Sequence, residues 1–301
     1  MARPIVIDGD LTTRPRLFIR GLMLIGWGLL WMAVFLYAPL VGLGALSAAT
    51  RGEYGGVEWT LTTANLWRLA GYDELGFSYN NLLILWRSVW LAAVTTGICL
   101  ALAFPMAFWI ANHRPRVRHL LLALVMVPSC VNLVIRTYAW QQLLGGQMPP
   151  AWLASQLGLI PPGGALYPSG FAVYLGMVSC MLPFTVLPLY TSIERLDWNL
   201  VEAARDLYGG RLRVFRHAIV SQCMPGLIAA TILTFIPSLG MFVVPDLLGG
   251  AKFMLVGNLI QLQFGSMSDW PFGAAAGVFL IVASLLALVG LRAVSERTEG
   301  R

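Results

Sequence analysis

The chain has 301 residues, of which 58% are hydrophobic and only 11% charged, whereas soluble domains carry about 25% charged residues. That balance excludes a water-soluble globular fold and places the chain in a bilayer. Its formal charge of +6 does not mark a nucleic-acid surface, because the basic residues scatter over several turns and never form a long run interleaved with aromatics.

A membrane-spanning helix needs about 20 apolar residues, and runs of that length follow one another along the chain. Residues 1–16 carry charges but no small-residue cleavage site behind a short apolar core, so a tail rather than a removed signal is expected there. The first span is expected over 17–46, uncharged from 21 to 50. A polar segment, 48–80, follows, with Glu53, Glu58, Asp73 and Glu74 against Arg51 and Arg68. The second span, 82–111, ends at a basic turn of His113, Arg114, Arg116, Arg118 and His119. The third, 120–144, contains Arg136. In 145–167, Pro149-Pro150 and Pro161-Pro162-Gly163-Gly164 forbid continuous helix, leaving a loop with a short interfacial helix near 152–157. The fourth span is 168–193, the fifth 219–248 and the sixth 272–291, with a tail over 293–301. Exposed backbone in lipid must satisfy its own hydrogen bonds, and these runs are too long for barrel strands. The expected fold is therefore an all-α integral membrane protein with six transmembrane helices.

Charge is dense in one place, the loop 194–218 and its continuation to 226, DWNLVEAARDLYGGRLRVFRHAIVSQCMPG from Asp197 onward. Leu196, Leu200, Ala203, Ala204 and Leu207 recur at helical spacing among Glu202, Arg205 and Asp206, which predicts a short amphipathic helix. Asp197 is its N-cap and Gly209-Gly210 its stop. A second helical piece over 211–217 is expected to run on into the fifth span. Arginines cluster on one side of the layout: Arg3, Arg14, Arg16 and Arg20, the basic turn, Arg195, Arg205, Arg211, Arg213 and Arg216, then Arg292, Arg297 and Arg301. The other side holds Arg51, Arg68 and Lys252. The positive-inside rule puts both termini and the charged loop in the cytoplasm.

No phosphate-binding G-x-x-x-x-G-K-[ST] is present, and the single lysine, Lys252, does not stand in such a motif, so the chain holds no ATP by that route. There is no H-E-x-x-H and no cluster of catalytic groups at one depth. His113, His119 and His217 all lie in basic turns. Cys99, Cys130, Cys180 and Cys223 fall singly in separate apolar segments and read as packing thiols, not metal ligands. Arg87, near the outer start of the second span, is expected to snorkel. Arg136 carries a central-helix insertion cost of roughly 2.5 to 3.5 kcal/mol, so it should face protein or water, paired with Asp246 or a backbone carbonyl, or acting in a gate. Asp246, beside Pro245 at the close of the fifth span, either meets an ammonium group, with Tyr138, Trp140 or Phe242 offering a π-face, or pairs with Arg136 or caps the next turn. Pro39, Pro105, Pro128, Pro183, Pro188, Pro237 and Pro245 lie within spans, where proline kinks a helix and is also common.

Glu202-Ala203-Ala204, the glycine corner and Met224-Pro225-Gly226 together resemble the EAA loop of binding-protein-dependent ABC importer permeases. The family's glycine after three further residues is Tyr208 here, and glycines follow at Gly209 and Gly210. Further stretches resemble the first permease subunit of spermidine/putrescine importers: IRTYAW (135–140), LPFTVLPLY (182–190), LGMFVVPDLLGGAKF (239–253), GNLI (257–260) and DWPFGAA (269–275). The resemblance implies a type I ABC importer permease fold in the bacterial plasma membrane. It places Leu200, Glu202, Ala203, Ala204, Arg205, Asp206, Leu207, Gly209 and Gly210 in a coupling helix seated in a cleft of an ATPase. Arg136, Tyr138, Trp140, Phe242 and Asp246 are then candidates for the substrate pathway or gate. It further implies a non-catalytic subunit that works with a second homologous permease, an ATPase homodimer that binds ATP and Mg, and an extracytoplasmic binding protein; the segment 48–80 carries none of the resemblance and either lies against a binding protein or covers the bundle. Relatives for ferric iron and phosphonates share much of this frame, so the alternative is the same permease class serving another solute. A membrane enzyme or an assembly protein are the readings from other classes, the first needing clustered catalytic groups and the second showing no transport.

Overall fold

The computed structural model describes residues 15–52, 56–73, 76–208, 210–250 and 253–299. Gly209, Lys252 and the expected tail residues 1–14, 300 and 301 lie outside them. Helix α1, Pro15–Ser47, leads into two small antiparallel ribbons, β1 (Thr50–Arg51) with β2 (Val57–Glu58) and β3 (Tyr72–Asp73) with β4 (Gly76–Phe77), which flank α2 (Ala64–Leu69). Then come α3 (Tyr79–Ala111), α4 (Pro115–Met126) with a 3-10 turn at Val127–Cys130, α5 (Leu133–Leu143), α6 (Pro149–Gln156), α7 (Gly170–Glu194), α8 (Trp198–Tyr208) and α9 (Arg211–Val214). A π-helical segment, Phe215–Val220, precedes α10 (Met224–Gly240), α11 (Val243–Gly249), α12 (Val256–Phe264) and α13 (Trp270–Glu299). The sixth helix therefore continues through most of the expected 293–301 tail.

Four of these helices are long and apolar enough to cross a membrane, and two bent pairs raise the number to 6 if each pair is one span. The bends correct the sequence reading. The expected third span, 120–144, is broken by 92° between Cys130 and Leu133, because Val131 is extended and Asn132 starts a new helix by accepting the Val134 N–H at 2.8 Å. The expected fifth span, 219–248, is broken twice. A 69° bend separates Val220 from Met224. Pro225 in the first turn of α10 lacks an N–H and would clash with the carbonyl four residues back, at Ser221, if the preceding helix ran on. Pro245 likewise leaves the Met241 carbonyl without a helical donor, and Met241 is extended, so α10 stops at Gly240 and Asp246 sits on the separate α11. Pro39, Pro105, Pro183, Pro188 and Pro237 lie inside continuous helices, and Pro149-Pro150 open α6, where a missing N–H costs nothing.

The core is the trio α3, α7 and α10. Bilayer helices gain nothing from excluding water, so they associate through close packing of small residues. Here Ala103, Ala107, Cys99, Cys180 and Ala230 are all buried. At Gly226 a Cβ would stand 2.7 Å from the Pro188 carbonyl oxygen and closer still to Ser192, so glycine sets how near α10 comes to α7. Thr185 donates to the Met181 carbonyl at 3.0 Å and meets Thr234 of α10 at 2.7 Å. Cys130, unlike the other three cysteines, is exposed. Helix α1 packs on α13, and none of the side chains described in its apolar window is buried.

At the end of the bundle away from α8, the 48–78 segment folds back and is bolted down. Buried Asn65 donates to the carbonyls of Ser47 and Ala49 at 3.0 and 2.7 Å. Arg68 donates to Asp269 Oδ2 at 3.1 Å and lies 4.6 Å over the Phe272 ring, while Asp269 Oδ1 accepts the Phe272 N–H and caps α13. Asp269→Ala removes cap and ion pair together; we expect a loss of about 1–2 kcal/mol, read as a lower thermal midpoint in detergent. Arg68→Ala should lower it less.

Candidate functional site

The charged loop folds as the sequence proposes at its start and differs at its end. Asp197 caps α8, its Oδ1 accepting the Asn199 N–H at 2.9 Å. Gln222 grips the same residue, accepting the Asp197 N–H at 2.9 Å while its amide donates to the Ala218 carbonyl at 3.0 Å. The π-helical segment and the bend at 221–223 thus replace the expected straight run from 211–217 into the fifth span.

The apolar residues of α8 divide between two faces. Val201 and Ala204 are buried with Ile110, Ile193, Leu196 and Val214 where α3 and α7 end, and Trp198 meets Phe108 edge to face at 6.2 Å. Leu200, Ala203 and Leu207, spaced i, i+3, i+7, face outward, with Leu207 82% exposed. Glu202 and Asp206, one turn apart, are exposed and make no ion pair among the described residues. Arg205 turns toward a hollow of about 1170 Å³ lined by Phe104, Phe108, Trp109, His113, Arg211 and Phe215. Gly210 is extended and opens α9. Behind α8, Arg118 ties three elements together: it pairs with Glu194, reaches the Tyr190 hydroxyl at 3.4 Å and donates to the Ala111 carbonyl at 3.2 Å.

The candidate pathway residues do not form one cluster. Arg136 donates to the Pro128 carbonyl at 2.9 Å, which is the backbone partner and not Asp246, and its Nε is buried without a hydrogen bond. With Trp140 and Ser179 it lines a cavity of about 570 Å³ between α3, α4 and α7. Tyr138 and Phe242 are exposed. Asp246 lies on a different cleft, with Phe253, Asn258 and Gln261. No π-face from Tyr138, Trp140 or Phe242 lines that cleft; Phe253 does.

Residues 100–300 match the family model for the binding-protein-dependent transport system inner membrane component. The chain belongs to that family. The permease is 39% identical over 264 residues to the spermidine/putrescine transport system permease protein PotB of Escherichia coli K12, covering 87% of this chain and 94% of that one. Against the protein of the same name from Haemophilus influenzae it is 36% identical, with 87% and 90% covered. Its fold matches a chain of a bacterial alginate ABC transporter crystallised with an alginate pentasaccharide-bound periplasmic protein, at a TM-score of 0.65 and 15% identity, with 96% of each chain covered.

Sequence reasoning overlooked Gln222, Asn258 and Gln261. None stands in a recognisable motif: Gln222 lies between Ser221 and Cys223, and Asn258 and Gln261 share the otherwise apolar α12 with Gln263; the helix breaks bring Gln222 beside Asp197, Asn258 beside Phe242 and Gln261 onto the Asp246 cleft. In the permease, Gln222→Ala should leave the global thermal midpoint nearly unchanged but free the start of α8. Hydrogen exchange at the first amides of α8 is expected to rise by about tenfold, measured by mass spectrometry on the purified protein.

Proposed function

We propose that this permease is the membrane-spanning subunit of an ABC importer for polyamines of the spermidine and putrescine type. It forms the translocation path with a second, homologous permease and is driven by two copies of an ATPase that bind ATP and Mg. An extracytoplasmic binding protein delivers the substrate to the end of the bundle that carries 48–78. Family membership supports the transport role, and two relatives at 36% and 39% identity that cover most of this chain carry the polyamine name. The excess of arginine at the α8 end supports a cytoplasmic position for that end and for both termini.

One observation carries the mechanical part of the reading: α8 presents Leu200, Ala203 and Leu207 to water beside the carboxylates Glu202 and Asp206, which make no ion pair among the described residues, while Val201 and Ala204 anchor it. An exposed apolar stripe with charged flanks, held on a rigid base, is the anatomy of a docking helix. Closure of the ATPase dimer moves two such helices together, and the anchor passes that movement to α3, α7 and α10. A nucleotide state shifts the equilibrium only through its different affinity for the two arrangements, so the contacts of α8 have to change between them. Arg136 and Trp140 at their cavity, and Asp246 at its cleft, are the candidates for the path itself.

Replacing Glu202 by Lys is expected to leave the protein in the membrane and to separate ATP hydrolysis from uptake. Proteoliposomes holding the whole transporter and its binding protein test this, and normal uptake in that variant would refute it. Leu200→Asp combined with Leu207→Asp should weaken ATPase association by at least about tenfold, read by co-purification.

A further inference from the structure

The cleft on which Asp246 lies, about 520 Å³ in volume, is built around one backbone oxygen. The Phe242 carbonyl accepts the Asp246 N–H at 3.0 Å and the Asn258 Nδ2 at 3.1 Å, so the break between α10 and α11 holds the carboxylate-bearing helix and the amide-bearing helix α12 at the same point. That bond also fixes which way the Asn258 amide faces. Its Nδ2 is used, and its Oδ1 is left buried, without any hydrogen-bond partner, in a residue 94% buried by the complement of its 6% exposure. A buried carbonyl oxygen with no donor costs about 1–3 kcal/mol, which makes it a place where a donor is wanted.

The other groups on the cleft agree in sign. Asp246 is exposed, with no ion pair among the described residues. Gln261, one turn from Asn258 on α12, and Ser266 add polar groups, and Phe253 adds an aromatic ring. Among the described lining residues there is one negative charge and no positive one. Acceptors, one carboxylate and a ring, with no cation, match a primary or secondary ammonium, which offers only donors and a positive charge. An anion would face the carboxylate with no basic group among the described lining residues to offset it.

We infer that Asp246, Asn258 and Gln261 form an ammonium site within the permease, where a polyamine nitrogen rests after leaving the binding protein. The inference rests on the polyamine reading of the function but adds a binding step in this chain and names its residues. Asp246 supplies the charge, the Asn258 Oδ1 and the Gln261 amide oxygen accept N–H groups, and Phe253 covers one side. For this the Asn258 side chain has to shift enough to open its buried oxygen to the cleft. One methylene-linked ammonium occupies the cleft while the rest of the substrate stays in the shared path between the two permeases.

The test uses the whole transporter in nanodiscs without binding protein, and measures retention of radiolabelled spermidine. The unmodified complex should retain it weakly, less so as salt rises, and diacetylated spermidine should compete poorly. Asp246→Asn should reduce retention by about tenfold or more, Gln261→Leu by about threefold, and Asp246→Glu should preserve most of it, with ATPase co-purification unchanged in all three. Equal retention in Asp246→Asn and the unmodified complex would overturn the site. So would loss of the Asp246→Asn effect in a Lys252→Gln background, because the carboxylate would then serve an internal pair with the chain's lysine. If instead the unmodified transporter, supplied with binding protein, carries no polyamine into proteoliposomes, the functional reading fails first, and the two failures are told apart.

Discussion

The seating of α8 on the bundle is the contact on which the coupling proposed for this permease depends. A helix of eleven residues is marginal in water by itself, and the proposed coupling requires this one to bear force without fraying. It does so because Val201 and Ala204 are buried at the junction of α3, α7 and the segment that leads to α10. The N-terminal turn is pinned by the Asp197 cap and by the Gln222 amide reaching from the far side of the bend. Arg118 adds a cross-brace between the ends of α3 and α7. The outward stripe is thereby left open while the inward one is fixed to the bundle, which is the arrangement the proposed coupling needs.

Broken helices are the second theme, and they create a chemical demand. Each break within the apolar zone leaves N–H and C=O groups that lipid cannot satisfy. The chain answers with its few polar side chains. Asn132 caps α5, Ser169 accepts the Ala172 N–H at 3.1 Å and caps α7, and Ser88 of α3 accepts the Val256 N–H at 2.9 Å where α12 begins. Asn258 covers the Phe242 carbonyl. In an apolar sequence these residues look incidental, but they let the backbone turn inside the bundle and line cavities there.

Hydropathy made the apolar runs legible, since a run of twenty or more uncharged residues has few alternatives. The start of α8 was legible too, from Asp197 and the spacing of its apolar residues. What stayed hidden was direction. The sequence signal for 120–144 and 219–248 is continuous in hydrophobicity, and hydrophobicity says nothing about a 92° or a 69° turn. Pro225 and Pro245 held that information, but Pro183 and Pro188 sit in an unbroken α7, so proline alone does not decide. The pairing of Arg136 with Asp246 failed for the same reason: it assumed straight spans, whereas the 3-10 turn before α5 leaves the Pro128 carbonyl within reach of the guanidinium.

The pairing of α1 with α13 bears on how the chain is made. Helix α1 finds its main neighbour in α13, with α2 to α12 between them in the sequence, and contacts that distant in sequence form slowly. Until α13 is made, α1 has to wait in lipid or against an insertion factor, and its aromatic flank of Trp27, Trp31 and Phe35 stays exposed even in the finished fold. A chain truncated before Trp270 would keep its central trio and its lever, yet lose the clasp that gathers the first segment and the Arg68 strap to the rest.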